Sequence, residues 1–335
     1  MAGPVLNVVT RVGDGIHAFR ADWGRRSGRV PTVVPFVGYG GAGWIRVLGR
    51  VVLRKPGIPA AERIRSVRGW RSFTSIPVRD AEIAVQAGSS TGVVRSDRGG
   101  VIDARVEADL PAGWSTVRLA IGGRDGVELP VFVVDEDAAF GLVSDVDDTV
   151  MVTALPRPLL AAWNSFVLDE HARTPVAGMA VLYERLMRAH PGAPVVYLST
   201  GAWNVVPTLT RFLSRNLYPR GPLLLTDWGP TPEHWFRSGP EHKRRALERL
   251  ASEFPGIRWL LVGDDGQHDE SIYGDFARRH PEHVRAVAIR QLTPGQAVLA
   301  GGRTPARAHS GEAAAWVYAP DGAGLSEQLG QLGLL

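Results

Sequence analysis

The stretch Phe140-Gly-Leu-Val-Ser-Asp145-Val-Asp147-Asp148-Thr149 decides how the rest of the chain is read. Phe140 to Ser144 is short and apolar enough for a buried strand, and the run then closes on Asp145, Asp147 and Asp148. Carboxylates packed at a strand terminus repel one another and raise one another's pKa unless a cation or hydrogen-bond donors offset the repulsion. A metal ion is therefore expected at this strand end.

Downstream of it, apolar runs alternate with helical periods. Val195 to Leu198, Leu223 to Leu225, Ile257 to Val262 and Val284 to Ile289 read as buried strands. Val176 to Ala189, Val205 to Ser214, Glu241 to Phe254 and Ser271 to Arg279 read as helices between them. Such alternation builds a parallel sheet covered on both faces, with its ligand crevice beyond the carboxyl ends of the strands. The second strand ends in Leu198-Ser199-Thr200-Gly201, where a hydroxyl and backbone N–H groups suit a phosphate. The fourth ends in Gly263-Asp264-Asp265-Gly266-Gln267-His268-Asp269, a second acidic cluster.

Of the 38 basic residues only Lys55 and Lys243 are lysines. A Lys surviving among so many Arg marks a position that needs a compact ammonium. Lys243 is expected in the first turn of its helix, where positive charge opposes the helix dipole but serves an anion. Two acid clusters, a hydroxyl loop and a Lys on one rim suit Mg²⁺, which takes one or two carboxylates plus substrate phosphate. The chemistry that needs this set is phosphoryl transfer to a carboxylate nucleophile. For each acid the plain alternative is a cap on a helix or turn. Asp148 and Thr149 read as structural, and His268 draws notice only because it lies inside the acidic loop.

Upstream, from about 30 to 135, short β-branched runs are separated by Gly, Asp and Ser, which predicts an all-β sandwich of about seven strands. Gly38, Gly40 and Gly43 have the spacing of a dinucleotide-binding loop, but Trp44 to Leu53 follows with a strand pattern where that loop must open a helix. A glycine-rich turn is expected instead. Before residue 28, Val5, Val8, Val12, Ile16, Phe19 and Trp23 form one helical stripe. The expected division is residues 1–29 as a helical segment, 30–136 as the sandwich and 137–335 as the catalytic unit.

Composition narrows the function. Without Cys there is no thiolate metal site, iron–sulfur cluster or cysteine nucleophile. A net charge of +4 with scattered basic residues gives no nucleic-acid footprint. With no bilayer-length apolar run and no leader pattern, a cytoplasmic protein is expected, with peripheral membrane contact through residues 1–27 left open.

The motifs DVDDT, a Ser after the next strand, a Lys and GDDGQHD resemble the haloacid dehalogenase-like phosphatases. More closely, SDVDDTV, LSTGAWN, Asp227-Trp228-Gly229 and GDDGQHDESIY resemble the catalytic domain of the actin-patch-associated phosphatidate phosphatases, and the upstream β region fits the bacterial members. The resemblance covers about 138–295 and implies a Rossmann-like parallel-sheet domain acting on a phosphomonoester, with phosphatidate or a related lipid phosphate as substrate. It implies Asp145 as nucleophile and Mg²⁺ ligand, and Asp147 as general acid then base with its carbonyl on the metal. It further implies Ser199 and Thr200 as phosphate-binding, Lys243 neutralising the phosphoryl oxygens, and Asp264 completing the metal site. Asp265 is preferred as the further acid of the metal sphere, with Asp269 as its substitute. The stretches Met151 to Pro175 and Trp228 to Pro240 are too short for a large cap, so an open site is expected. Trp163, Trp203, Trp228 and Trp235 would line its entrance or pack in the core. The competing reading is a non-catalytic phospho-acceptor resembling a receiver domain, or a binding scaffold. Asp147 discriminates, because a receiver has no acid placed to activate water.

Overall fold

In the strand Glu82–Ala87 exposed and buried side chains alternate without a break, so one face of this strand has a core to cover. In Phe140–Asp145 every residue is buried, which is the pattern of a strand covered on both faces. These two patterns separate the two parts of the molecule. The computed structural model describes residues 26–55, 76–152, 174–226, 232–266, 268–299 and 314–335. The stripe expected over the first 27 residues, the Asp227 to Gly229 motif and most of the stretch from Met151 to Pro175 lie outside the described residues. So do Trp163, Trp228 and the side chain of Trp235.

The first part contains β1 (Val30–Pro35), β2 (Gly38–Gly41), β3 (Trp44–Arg54), β4 (Ile76–Pro77), β5 (Glu82–Ala87), β6 (Ser90–Arg95), β7 (Val101–Glu107), β8 (Gly113–Ile121) and β9 (Val127–Val133). Where about seven strands are expected, nine strands among the described residues are hydrogen-bonded into one continuous sheet, with β1-β3-β2-β9-β8-β5-β6 in order and β4 and β7 also on β3. The long strand β3 makes this continuous. Its residues pair with β2 and then β1 along one edge, and with β7 and then β4 along the other. Ile45, Val47, Val51, Ile83, Val85, Val117, Leu119, Leu129 and Val131 fill the interior. The GYGGAG segment is a hairpin in which Gly41 pairs with Trp44 across a turn with Gly43 at φ 76°. A Cβ on Gly40 would lie 2.4 Å from the Trp44 carbonyl oxygen, so glycine there serves strand packing and not a phosphate.

The second part is a six-stranded sheet, all pairs parallel, in the order β12-β11-β10-β13-β14-β15. Its strands are β10 (Phe140–Asp145), β11 (Val195–Ala202), β12 (Leu223–Thr226), β13 (Arg258–Asp264), β14 (Val284–Arg290) and β15 (Ala315–Ala319). The helices are α1 (Met179–Ala189), α2 (Val206–Arg215), α3 (Pro232–Glu253), α4 (Asp269–Arg279), α5 (Pro294–Leu299) and α6 (Gly322–Gln331). Among the described residues, none of these helices is long and apolar enough to cross a membrane.

The two parts share one apolar cluster: Phe36, Tyr39, Trp44 and Leu48 of the β part join Leu209, Phe254, Trp259 and their neighbours. Phe36 stacks on Trp203 at 5.7 Å, which makes Trp203 a core residue here. At the end of α3, Glu253 accepts hydrogen bonds from Tyr39 Oη at 2.7 Å and Arg46 Nε at 3.1 Å. Asp103 receives both Arg46 at 2.7 Å and Arg249 at 2.8 Å. The β part thus grips the same helix that carries Lys243.

Candidate active site

Parallel neighbours β10 and β13 run in register from Phe140 opposite Arg258 to Ser144 opposite Val262. Asp145 follows one residue and Asp264 two residues beyond this last pair, which brings both to the same rim. α4 opens immediately after this rim, and its first residue is Asp269. One carboxylate oxygen from each of Asp145, Asp264 and Asp269 lies within 4.8 Å of the others. Asp269 can come this close because residue 263 has no side chain: a Cβ there would sit 2.6 Å from Asp269 Oδ2 and 2.7 Å from the Tyr273 ring. Tyr273 is itself tied back, donating to the Val262 carbonyl at 3.2 Å.

Lys243 reaches this cluster from α3, with Nζ 2.5 Å from both Asp145 Oδ1 and Asp269 Oδ1. It is not in a first turn: α3 begins at Pro232 and runs through Pro240, so Lys243 lies mid-helix and the dipole argument fails. Burial and the close carboxylates set the electrostatics of the site. Lys243 is 5% exposed and Asp145 3%. Burial alone would pull the Lys243 ammonium down, but Asp145 and Asp269 beside it raise its pKa and keep it charged. Burial pushes the Asp145 carboxyl well up; Lys243 opposes this, while Asp269, Asp264 and Asp147 add to it. Asp264 is raised by burial and by Asp269, against Lys243 and the Gly266 N–H that binds its Oδ1 at 2.7 Å.

One ammonium does not neutralise three carboxylates, and Asp269 Oδ2 is buried with no hydrogen-bond partner. A buried, unpartnered carboxylate oxygen is costly unless a cation meets it. The donor set, all hard oxygen and more anionic than its one Lys can balance, fits a divalent cation such as Mg²⁺.

Beyond β10 the chain turns sharply. Val150 and Met151 N–H both donate to the Val146 carbonyl, and Asp148 adopts φ 54°. This turn sets Asp147 opposite the tip of β11, where Ser199 Oγ donates to Asp147 Oδ2 at 3.2 Å and accepts from Gly201 N–H at 3.0 Å. Ser199 is fully buried and binds its own loop, so it does not cap the helix that follows.

Of the residues expected from sequence, Asp145, Asp264 and Lys243 come together, with Asp147 and Ser199 hydrogen-bonded to one another beside them. Asp265 does not join the carboxylate group: its Oδ1 accepts from Leu292 N–H at 2.8 Å, on the far side of the loop. Asp269, the alternative to Asp265, is the acid that stands with Asp145 and Asp264. The reason is geometric: adjacent residues at a strand end point to opposite sides, while a helix start four residues later returns a side chain to the rim. His268 is exposed at the N-cap position of α4 and is not among the converging ligand atoms. Thr200 is half-buried; a Cβ on Gly239 would lie 3.0 Å from its methyl group, and its carbonyl is bound by Thr226. Two residues went unread in the sequence. Gly263 was seen only as part of a motif, and Arg290, closing the buried strand β14, carried the signal of a lone charge at the end of an apolar run.

Residues 140–291 match the family model described as phosphatidate phosphatase APP1, catalytic domain. The similarity is to the catalytic domain of a phosphoric monoester hydrolase. Among curated proteins, the chain is 26% identical over 153 residues to phosphatidate phosphatase APP1 of Saccharomyces cerevisiae, covering 45% of this chain and 25% of that protein. It is 23% identical over 167 residues to the uncharacterized protein C29B5.04c of Schizosaccharomyces pombe, covering 49% of this chain and 27% of that one. The chain thus spans about a quarter of the length of these fungal relatives. Among solved structures, the HAD domain of effector protein Lem4 from Legionella pneumophila aligns with 48% of this chain and 90% of its own at 16% identity, with a TM-score of 0.32.

Proposed function

We propose that this chain is a divalent-cation-dependent phosphatase that hydrolyses a phosphomonoester through an aspartyl-phosphate, with phosphatidate or a related lipid phosphate as substrate. The observation that carries the reading is the convergence of Asp145, Asp264 and Asp269 within 4.8 Å, with Lys243 between two of them. The lipid part rests on similarity to the yeast enzyme, whose name states its substrate. Residues 137–335 would form the catalytic unit, with 30–136 as its β partner and 1–29 ahead of it.

Asp145, Asp264 and Asp269 would hold the cation, which when bound supplies positive charge to the phosphoryl oxygens. Lys243 fixes Asp145 through Oδ1, which leaves the other oxygen to attack phosphorus. As that O–P bond forms, the bond from phosphorus to the alcohol oxygen breaks, and the electron pair leaves with the oxygen. Asp147 gives that oxygen its proton, so that the alcohol departs and Asp147 is left as the carboxylate. It then takes a proton from water, whose oxygen attacks phosphorus; the Asp145–phosphorus bond breaks, returning the carboxylate and releasing inorganic phosphate. Ser199 holds the Asp147 carboxyl in place for both transfers. A receiver-like phospho-acceptor would have no task for Asp147 in that position.

The test compares wild type with Asp145→Asn on p-nitrophenyl phosphate and on dispersed phosphatidate, with and without Mg²⁺. The expected result is Mg²⁺-dependent release of phosphate from both esters that the substitution abolishes. Equal rates from the two proteins would remove the catalytic reading; turnover of the aryl ester alone would remove the lipid substrate.

A further inference from the structure

We infer that Arg290 is a positioning residue for the proposed reaction, holding the turn at Asp148 that aims Asp147 as proton donor and acceptor. The inference rests on the phosphatase reading and adds to it a residue that lies beside Asp264 in the sheet but whose side chain donates its hydrogen bonds outside the carboxylate cluster.

Arg290 is the last residue of β14 and only 5% exposed. Each of its three guanidinium nitrogens is committed to a different segment. Nη1 donates to the Asp148 carbonyl at 2.6 Å, Nη2 to Gln296 Oε1 of α5 at 2.9 Å, and Nε to the Pro320 carbonyl after β15 at 3.2 Å. All three acceptors are neutral. Burial disfavours the charge of Arg290 and the nearby carboxylates of Asp148, Asp264, Asp265 and Asp321 favour it, but none of them accepts one of its hydrogen bonds. The planar fork is instead a device for fixing directions, joining three segments at set angles.

The direction that matters is that of Asp148. At φ 54° it stands in the left-handed region, which a residue with a Cβ occupies only when its surroundings hold it there. Its N–H donates to the Met151 carbonyl at 2.7 Å, and its carbonyl is the group Arg290 binds. Both peptide planes around Asp148 are thereby held, and the first of them also contains the Asp147 carbonyl. Loss of the Arg290 contact frees the second plane and allows residue 148 to relax to negative φ. That relaxation would swing Asp147 away from Ser199. Asp145, Asp264, Asp269 and Lys243 sit on other elements and would keep their places.

The experiment compares Arg290→Met and the milder Gln296→Ala with wild type on two phosphomonoesters of unlike leaving group. p-Nitrophenolate departs without a proton, whereas an alkoxide needs one from Asp147. General acid catalysis is worth on the order of 100-fold or more, so kcat of Arg290→Met on an alkyl phosphate should fall about 100-fold. On p-nitrophenyl phosphate the fall should be about tenfold or less, with KM for both esters within about twofold of wild type. Gln296→Ala should show the same unequal loss at smaller size. Adding Asp148→Gly to Arg290→Met should recover part of the alkyl rate, because glycine holds positive φ without help. A crystal structure of Arg290→Met should show residue 148 out of the left-handed region and the Ser199 to Asp147 contact broken. Equal losses on the two esters, or a variant structure that keeps φ positive at 148 with that contact intact, would overturn the inference. The structural arm is independent of turnover: if wild type hydrolyses neither ester, the phosphatase reading fails on its own result, and the inference falls with it whatever the turn does.

Discussion

Replacing Glu253 by alanine tests the joint between the β part and the helix that bears Lys243. The Glu253 side chain is 7% exposed and accepts from Tyr39 Oη at 2.7 Å, Arg46 Nε at 3.1 Å and Arg46 Nη2 at 2.5 Å. Its removal leaves the Tyr39 hydroxyl buried without its acceptor, and leaves Arg46 with Asp103 alone. Breaking a buried pair by deleting one partner costs about 3–5 kcal/mol, because the other charge stays desolvated. Asp103 is 29% exposed and still neutralises Arg46, which places the expected loss near the low end, at about 3 kcal/mol. The opposite arrangement discriminates. If Arg46→Met and Glu253→Leu are combined, no charge is left stranded and the loss should shrink to about 1 kcal/mol or less. Urea unfolding followed by far-ultraviolet circular dichroism reads both values, and the double-mutant cycle gives the coupling between the two positions. A Glu253→Ala protein within about 0.5 kcal/mol of wild type would show that the joint is a solvated surface pair. A double variant as unstable as the sum of the single ones would refute the argument from desolvation.

Three further outcomes follow from the same geometry. Burial pushes the His242 imidazole down to about 4, so as pH falls from about 6.5 to about 4 the unfolded chain binds the proton that the folded one refuses. Stability should therefore fall across that window by up to about 3 kcal/mol, and the pH profile of His242→Phe should be flatter by that amount; parallel profiles would contradict it. Mg²⁺ should raise the melting temperature of wild type in a concentration-dependent way, worth about 2.7 kcal/mol at a hundredfold excess over Kd. Asp269→Asn should blunt this shift, and an unaltered shift would exclude Asp269 from the cation site. Gly263→Ala places a methyl 2.6 Å from Asp269 Oδ2 and should weaken Mg²⁺ binding about tenfold or more while far-ultraviolet dichroism stays unchanged; titration calorimetry reads the first and an unchanged affinity would count against the packing argument.

Asp145, Asp147, Ser199, Lys243 and Asp264 were legible as a group because each stands at the end of an apolar run or as a lone exception within a biased composition. Burial leaves a period in sequence, and where that period stops on a carboxylate the strand tip is announced locally. The α/β alternation from Phe140 onward was legible for the same reason, and so was the GYGGAG hairpin, since the strand after it was visible. β15 and α6 were not read, because a five-residue strand and a ten-residue helix give too few periods to stand out. The local pattern predicts a helix from Glu241, because a proline commonly marks a helix start, whereas α3 carries Pro240 inside it.

By itself, then, the sequence determined which side chains end the strands and what chemistry those side chains can do, since both follow from local order and residue type. Which of them meet was decided only in three dimensions. That β13 lies beside β10 and not at an edge is a matter of long-range pairing, and that pairing is what brings Asp264 to Asp145. That Asp269 turns to the cluster while Asp265 turns to Leu292 depends on where α4 starts and on the space Gly263 leaves. The grip of Tyr39 and Arg46 on Glu253 joins residues more than 200 positions apart, and so does not show in any local pattern. Periodicity reports that a residue is buried, but what it is buried against is set by the packing of the whole chain.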